Sequence, residues 1–224
     1  MKISVVIPTM NEEESIGEVM DEVNMALSGR EYEVLIVDTK STDKTREIAR
    51  SKGAKVIDEP RRGYGRAYKT GFEAAEGDII ATLDADCTYP ANKIPGMLVM
   101  IEKEGYEFVT TNRLSNISKD AMSAVHRFGN WTLKTTANVL FNIRLKDSQS
   151  GMWVFKKSAL RHLHLTSDGM PLSEEIKIEA MKKDLRCAEV PITLRPRKGE
   201  AKISSWGDGW KNFTFLFKKR FGMV

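Results

Sequence analysis

Short, β-branched apolar runs alternate with helically spaced segments through the first hundred residues, and that alternation leaves the chain very few architectures. KISVVIP (residues 2–8) is closed by a proline and YEVLIVD (32–38) by an aspartate, and each is followed by turn residues and then by helical spacing. Between them, residues 12–27 put Ile16, Val19, Met20, Val23 and Leu27 on one face, with Asn11 as the expected cap. STDKT (41–45) reads as a helix start, AKVIDE (54–59) as a third strand, 64–76 as a helix and DIIATLDAD (78–86) as the next strand. The pattern predicts an α/β fold with a mostly parallel sheet, helices on both faces and ligands at the carboxyl ends of the strands.

The second half is less regular. Residues 119–145 read as a long amphipathic helix, GMWVFKK (151–157) as a strand, 173–183 as a helix and RCAEVPITLRP (186–196) as a strand ended by prolines. With 224 residues, 41% of them hydrophobic and 29% charged, one domain is expected. No apolar run approaches the roughly 18 residues of a spanning helix, and residues 1–7 lack the form of a signal peptide, so a cytosolic chain is expected. Cys87 and Cys187 have no metal-type spacing and read as small hydrophobes, and His126, His162 and His164 fit no metal motif.

The fourth apolar run ends by ejecting Asp84 and Asp86 on either side of one small residue. Residues i and i+2 of a strand face the same side, so both acids reach one point beyond its end. Two like charges that close suit a hard divalent cation, Mg²⁺ or Mn²⁺, sharing its remaining positions with phosphate oxygens, so a diphosphate substrate is expected. The turn after the first strand, PTMNEEE, has no glycine, which excludes both the dinucleotide fingerprint and the P-loop. Side chains take their place: Asn11 and Glu12 after the first strand, Asp38 after the second and the Asp84/Asp86 pair after the fourth. RRGYGRA (61–67) reads as a flexible loop before a helix.

PTMNEEESI, VDTKSTDKT, RRGYGRAYKTG, DADCTYP, DSQSGMWVF and VPITLRPRKGEAKI, in that order, resemble glycosyltransferase family 2, and within it the polyprenyl-phosphate (dolichyl-phosphate) hexosyltransferases. The resemblance covers about the first 205 residues. It implies a GT-A fold divided into a nucleotide-sugar half (1–112) and a smaller acceptor half (113–205), followed by a helix over 206–224. It also implies inverting transfer of a hexose from a nucleotide diphosphate sugar, UDP preferred over GDP, with a divalent metal. By resemblance Pro8, Glu12, Val37 and Asp38 fall in the nucleotide pocket, Asp84, Ala85 and Asp86 in the metal and diphosphate motif, and Arg113, Arg127, Arg197 and Lys202 against substrate phosphates. Thr39 stands where the family often has a second aspartate, Ala201 replaces a serine, and Thr88 falls at a third metal-side position. Glu175, in SEEIKIEA, sits where hydroxyl-modifying relatives keep a catalytic acid; base, metal helper and helix-start acid remain three open roles.

Inversion requires the acceptor oxygen to attack opposite the leaving diphosphate. A sugar hydroxyl needs a general base for this, whereas a phosphate near pH 7 is already anionic. Residues 195–224 hold eight Lys or Arg against two acids, and Trp210, Phe213, Phe217 and Phe221 fall on one helical arc beside Lys211, Lys218 and Lys219. That profile suits a helix lying in an anionic headgroup layer, with Phe215 on the other side also favouring lipid, or a terminal helix packed on its own core. The stretch 130–142 offers a second apolar surface, for a prenyl chain or for the core. The expected partners are a nucleotide sugar, a polyprenyl phosphate and the cytosolic face of a membrane, with no nucleic acid. The rivals are transfer to a sugar hydroxyl with Glu175 as base, and a non-catalytic nucleotide-sugar-binding scaffold.

Overall fold

The computed structural model describes residues 1–115, 124–199 and 205–224. In chain order its elements are β1 (Ile3–Thr9), α1 (Ile16–Ala26), β2 (Tyr32–Asp38), α2 (Thr45–Ser51), β3 (Lys55–Asp58), α3 (Tyr64–Ala74), β4 (Ile79–Thr82), α4 (Ile94–Lys103), β5 (Phe108–Asn112), α5 (Ala124–Phe141), β6 (Trp153–Lys156), α6 (Leu172–Lys182), β7 (Cys187–Pro191) and α7 (Ser205–Arg220). The strands form one sheet in the order β3-β2-β1-β4-β6-β5-β7, in which only β6 runs against its neighbours. Reversing β6 has a functional consequence. Its amino end, preceded by the DSQSG segment, arrives at the same sheet edge as the carboxyl ends of β1, β2, β4 and β5.

The apolar runs become strands because they are covered on both faces. Ile3, Val5 and Ile7 pack with the inner face of α1, where Ile16, Val19, Met20 and Val23 are buried as their spacing requires. Val6 points the other way, into a cluster with Tyr68 and Phe72 of α3, Trp153 and Phe155 of β6 and Ile176 of α6. A third cluster lies under α5, where Leu133, Ala137 and Phe141 meet Ile178 of α6 and the fully buried Leu216 of α7.

Asn11 does not cap α1, which begins at Ile16. It adopts a left-handed conformation (φ 53°), which asparagine tolerates better than most residues. Its side-chain carbonyl accepts the Thr42 N–H at 2.8 Å while its own N–H donates to Ser41 Oγ at 2.8 Å. The residue thus stitches the turn after β1 to the turn after β2. Nor does α7 lie free: Phe215 is buried and Lys219 is nearly so, because the helix packs on α5 and α6. The 130–142 stretch divides, with Leu133, Ala137 and Phe141 inward and Trp131 and Val139 outward.

Candidate active site

A cleft of about 530 Å³ opens at the carboxyl edge of the sheet, within the range of small-molecule sites. Pro8, Thr9, Met10 and Glu12 from the end of β1, Thr39 from the end of β2 and Asp84, Ala85 and Asp86 beyond β4 form one wall. Gly169 and Met170 before α6, and Asp208 and Lys211 of α7, form the other, while Arg197 after β7 lies against Asp86 and Glu12. Arg62, Gly63, Tyr64 and Ala67 close one end. This closure depends on glycine. Gly63 has φ 151°, and a Cβ there would stand 2.2 Å from the Asp168 carbonyl, so the RRGYG loop can lie against the segment before α6 only without side chains at its turn.

Asp84 is held from behind by two phenols of α3, four residues apart and therefore on one helix face: Tyr64 Oη donates at 3.1 Å and Tyr68 Oη at 3.4 Å. Burial keeps both phenols well above their ordinary pKa, so they remain donors. Burial and the neighbouring Asp86 charge push Asp84 itself up to about 7. Gly151, delivered by reversed β6, leaves room for this arrangement; a Cβ there would meet Tyr64 Oη at 2.3 Å.

Asp86 is held differently. Cys87 takes φ 65°, which folds the chain so that the Thr88 N–H and Oγ–H donate to Asp86 Oδ1 at 3.0 and 2.6 Å. Its Oδ2 accepts Arg197 Nη1 at 2.9 Å, and Arg197 Nη2 reaches Glu12 Oε1 at 3.3 Å. Arg197 Nε is buried with no hydrogen-bond partner. Among the described residues no three His, Cys, Asp or Glu converge. The protein therefore offers two carboxylates, a set that fits a hard cation completing its shell with water and substrate oxygens. Thr88 is turned to Asp86 and does not line the cleft.

Several expected residues lie elsewhere, for identifiable reasons. Asp38 is fully buried, and its carboxylate is taken by Thr9 Oγ1 at 2.9 Å, the Ser41 N–H at 3.0 Å and Arg46 Nε. It joins the tips of β1 and β2 and is not presented to a base or ribose. Val37 is sealed in the core under α3, and Asn11 is spent on Ser41 and Thr42. Arg113 turns inward in a forked pair with Asp147, Nε to Oδ2 at 2.7 Å and Nη2 to Oδ1 at 2.9 Å. Asp147 also accepts the Arg113 and Gln149 N–H groups, and its carbonyl accepts the buried Lys177 Nζ at 2.9 Å, so the DSQSG motif is organised around this residue. Burial draws Lys177 down to about 7. Arg127 is exposed on α5, and Lys202 lies outside the described residues.

Glu175 does not reach the cleft. Its oxygens accept the Thr166 N–H and Oγ–H at 2.9 and 2.8 Å, the Ser167 N–H at 2.9 Å and Lys219 Nζ at 2.8 Å. A fully buried carboxylate with four donors is a fastening. The residues that sequence reasoning overlooks are Tyr64 and Tyr68, whose i, i+4 spacing was the available signal, and Met170, Asp208 and Lys211, for which no local signal exists.

A model of glycosyl transferase family 2 matches residues 4–163. The chain is 39% identical over 217 residues to a low-salt glycan biosynthesis hexosyltransferase of Haloferax volcanii, across 96% of this chain and 52% of that protein, so it spans about half that relative's length. A dolichyl-phosphate hexose transferase of the same organism is 34% identical, with 92% and 89% covered. A dolichol-phosphate mannosyltransferase of Pyrococcus furiosus is 31% identical, with 91% and 59% covered. Among solved structures, glucosyl-3-phosphoglycerate synthase of Mycobacterium tuberculosis, in complex with UDP, superposes with a TM-score of 0.78 at 23% identity over 99% of this chain and 80% of that one, which shows a shared GT-A fold. The ordered motifs, the mixed sheet with its carboxyl-edge cleft and these relatives agree: the chain belongs to glycosyl transferase family 2.

Proposed function

We propose that this chain transfers a hexose, with inversion, from a nucleoside diphosphate sugar to a polyprenyl phosphate at the cleft described above. The observation that carries this reading is the contrast between Arg197 and Glu175. A guanidinium with an unpartnered buried N–H lines the cleft beside Asp86, while the acid on which a hydroxyl acceptor would depend is sealed away under Lys219. Two relatives named for dolichyl or dolichol phosphate support the acceptor class. UDP is the donor we favour over GDP; Thr39, which lines the cleft, stands where the family often has a second aspartate.

Asp84 and Asp86 would hold Mg²⁺ or Mn²⁺, and a cation there supplies the positive charge that a departing diphosphate needs. The protein's own groups do the rest. Tyr64 and Tyr68 fix the Asp84 carboxylate in one orientation, and Thr88 does the same for Asp86. A phosphate monoester near neutral pH carries about one and a half to two negative charges, so the acceptor oxygen attacks without surrendering a proton to the enzyme. What remains is to bring two anionic groups to one carbon, and Arg197 and Lys202 are the cations assigned to the acceptor. Arg113 acts one step back by fixing Asp147, and Arg127, exposed on α5, would be a further cation for the acceptor phosphate. Among the described residues no helix is long and apolar enough to cross a membrane. The protein would meet its lipid substrate peripherally, at the cytosolic face, through α7 and the turn after it, which expose Trp210, Phe217 and Phe221.

The purified chain, given UDP- or GDP-hexoses, Mg²⁺ or Mn²⁺ and a short prenyl phosphate, is expected to form a prenyl-linked hexose. Transfer to a sugar hydroxyl and not to prenyl phosphate, or undiminished transfer by Asp86→Ala, would overturn the reading.

A further inference from the structure

Glu174 is fully buried and takes no part in the chemistry described above, yet it anchors a polar bridge that runs from α6 to α7. Gln149, in the DSQSG segment, donates an Nε2–H to Glu174 Oε2 at 2.9 Å and accepts an Nδ2–H of Asn212 on its Oε1 at 2.7 Å. Asn212 belongs to α7 and is itself buried, and the residue before it, Lys211, lines the cleft. Gln149 stands two residues before Gly151, which packs against Tyr64 and Asp84. One carboxamide therefore joins α7 to the segment that stands behind Asp84.

Stability alone does not account for this bridge. Glu174 Oε1 and Asn212 Oδ1 are buried with no hydrogen-bond partner, and burial holds the Glu174 carboxyl well above its ordinary pKa, so it is a neutral acid. An apolar seat of the same shape would hold the helix about as firmly, because buried polar groups gain little when paired and cost free energy when they are not. What directed bonds add is register. Apolar contacts such as those of Leu216 tolerate a helix that slides or turns, whereas an amide pair forms in one setting only. Lys211 needs that setting: its side chain is exposed, it pairs with Asp208 of the same helix at 3.2 Å, and among the described residues it bonds to no other element. Its place on the cleft wall is set by the helix that carries it. We propose that Gln149 and Asn212 are positioning residues for acceptor binding: their carboxamide pair, anchored on Glu174, fixes the register of α7 that puts Lys211 on the cleft wall as a cation for the acceptor phosphate. The identity of the acceptor rests on the polyprenyl-phosphate reading; the positioning does not.

The test is a split between the two substrates. Gln149→Met, which keeps the length of the side chain and removes both bonds, and Asn212→Leu are each expected to raise KM for a short prenyl phosphate about tenfold. KM for the nucleotide sugar, kcat and the calorimetric affinity for UDP with Mn²⁺ are expected to stay within about twofold. Glu174→Gln keeps an oxygen for the Gln149 amide and should leave the acceptor KM unchanged, whereas Glu174→Met should raise it as Gln149→Met does. Lys211→Met is expected to raise the acceptor KM about tenfold in the wild type and to add little in Gln149→Met, where the cation is already misplaced. An unchanged acceptor KM in Gln149→Met and Asn212→Leu overturns the proposal. So does a joint rise of both KM values with loss of UDP affinity, which marks a bridge that is structural only, and so do additive effects of Lys211→Met and Gln149→Met. A wild type that glycosylates a sugar hydroxyl and not prenyl phosphate sinks the polyprenyl-phosphate reading instead, and the same split, read on that acceptor, then decides the positioning.

Discussion

The two walls of the cleft are built on opposite plans. On the strand-tip side, Glu12, Asp84 and Asp86 lie beyond the ends of β1 and β4, and each carboxylate is held by hydroxyls, backbone N–H groups or arginines. On the helix side, Met170, Asp208 and Lys211 come from a loop and from α7, whose place depends on Leu216 in a small core and on Lys219 between Glu175 and Glu179. The first wall is as rigid as the sheet. The second is as firm as one helix's docking. On the function proposed above, a donor diphosphate suits the first plan and an acceptor that arrives from a surface suits the second.

Substitutions separate the walls. The largest effect is expected for Asp86→Ala on the strand wall, which should lower kcat/KM for transfer about a thousandfold with the melting temperature little changed. Next, Gly151→Ala should drive a Cβ into Tyr64 Oη, costing about 1–3 kcal/mol of overpacking and a drop in kcat as Asp84 loses its phenols; chemical denaturation and steady-state kinetics read the two parts. Glu175→Gln tests the helix wall in the other sense. Calorimetry should show a loss of about 1–3 kcal/mol, because buried Lys219 loses a charged partner, with kcat nearly intact; a collapse of kcat at unchanged stability would restore Glu175 as a base.

The smallest effect is in the pH dependence, where the walls should differ in sign. Beside the strand wall, hydrogen bonds from Arg61 and then Thr70 hold Glu59 down to about 2. A carboxyl lowered on folding stabilises the protein above its unfolded value near 4.5, and that contribution is lost as pH falls from there to about 2. Beside the helix wall, burial raises Glu174 well above 4.5, so stability declines as pH climbs past the unfolded value. Melting curves at pH 3 to 8 should show Glu59→Gln flattening the acid limb and Glu174→Gln flattening the neutral limb. Exchanged behaviour would invert the assignment.

The same contrast explains what the sequence discloses. β1, β2 and β4 are legible because burial on both faces demands continuous β-branched runs, and their ends mark Glu12, Asp84 and Asp86 without further information. β5 (FVTTN) carries no such mark, since Thr111 is buried through bonds to Ser150 Oγ and the Met152 carbonyl, groups some forty residues away. Arg113 was readable as a cation but not as Asp147's partner, and Asp38 as an acid but not as one saturated by Thr9, Ser41 and Arg46. Periodicity reports which face is buried. It does not report which polar group on another element waits there. For α7 the hydrophobic arc was visible, but Phe215 and Lys219 show that the helix spends one side on the protein, a division that only α5 and α6 decide.

Glu175 joins two things that would otherwise move separately. One of its oxygens grips Lys219 near the end of α7, and both hold the Thr166–Ser167 backbone, which leads directly into Gly169 and Met170 on the cleft wall. A displacement of α7 would be passed within a few bonds to Gly169 and Met170 on the cleft wall. A single carboxylate thereby ties the seating of the last helix to the shape of the pocket.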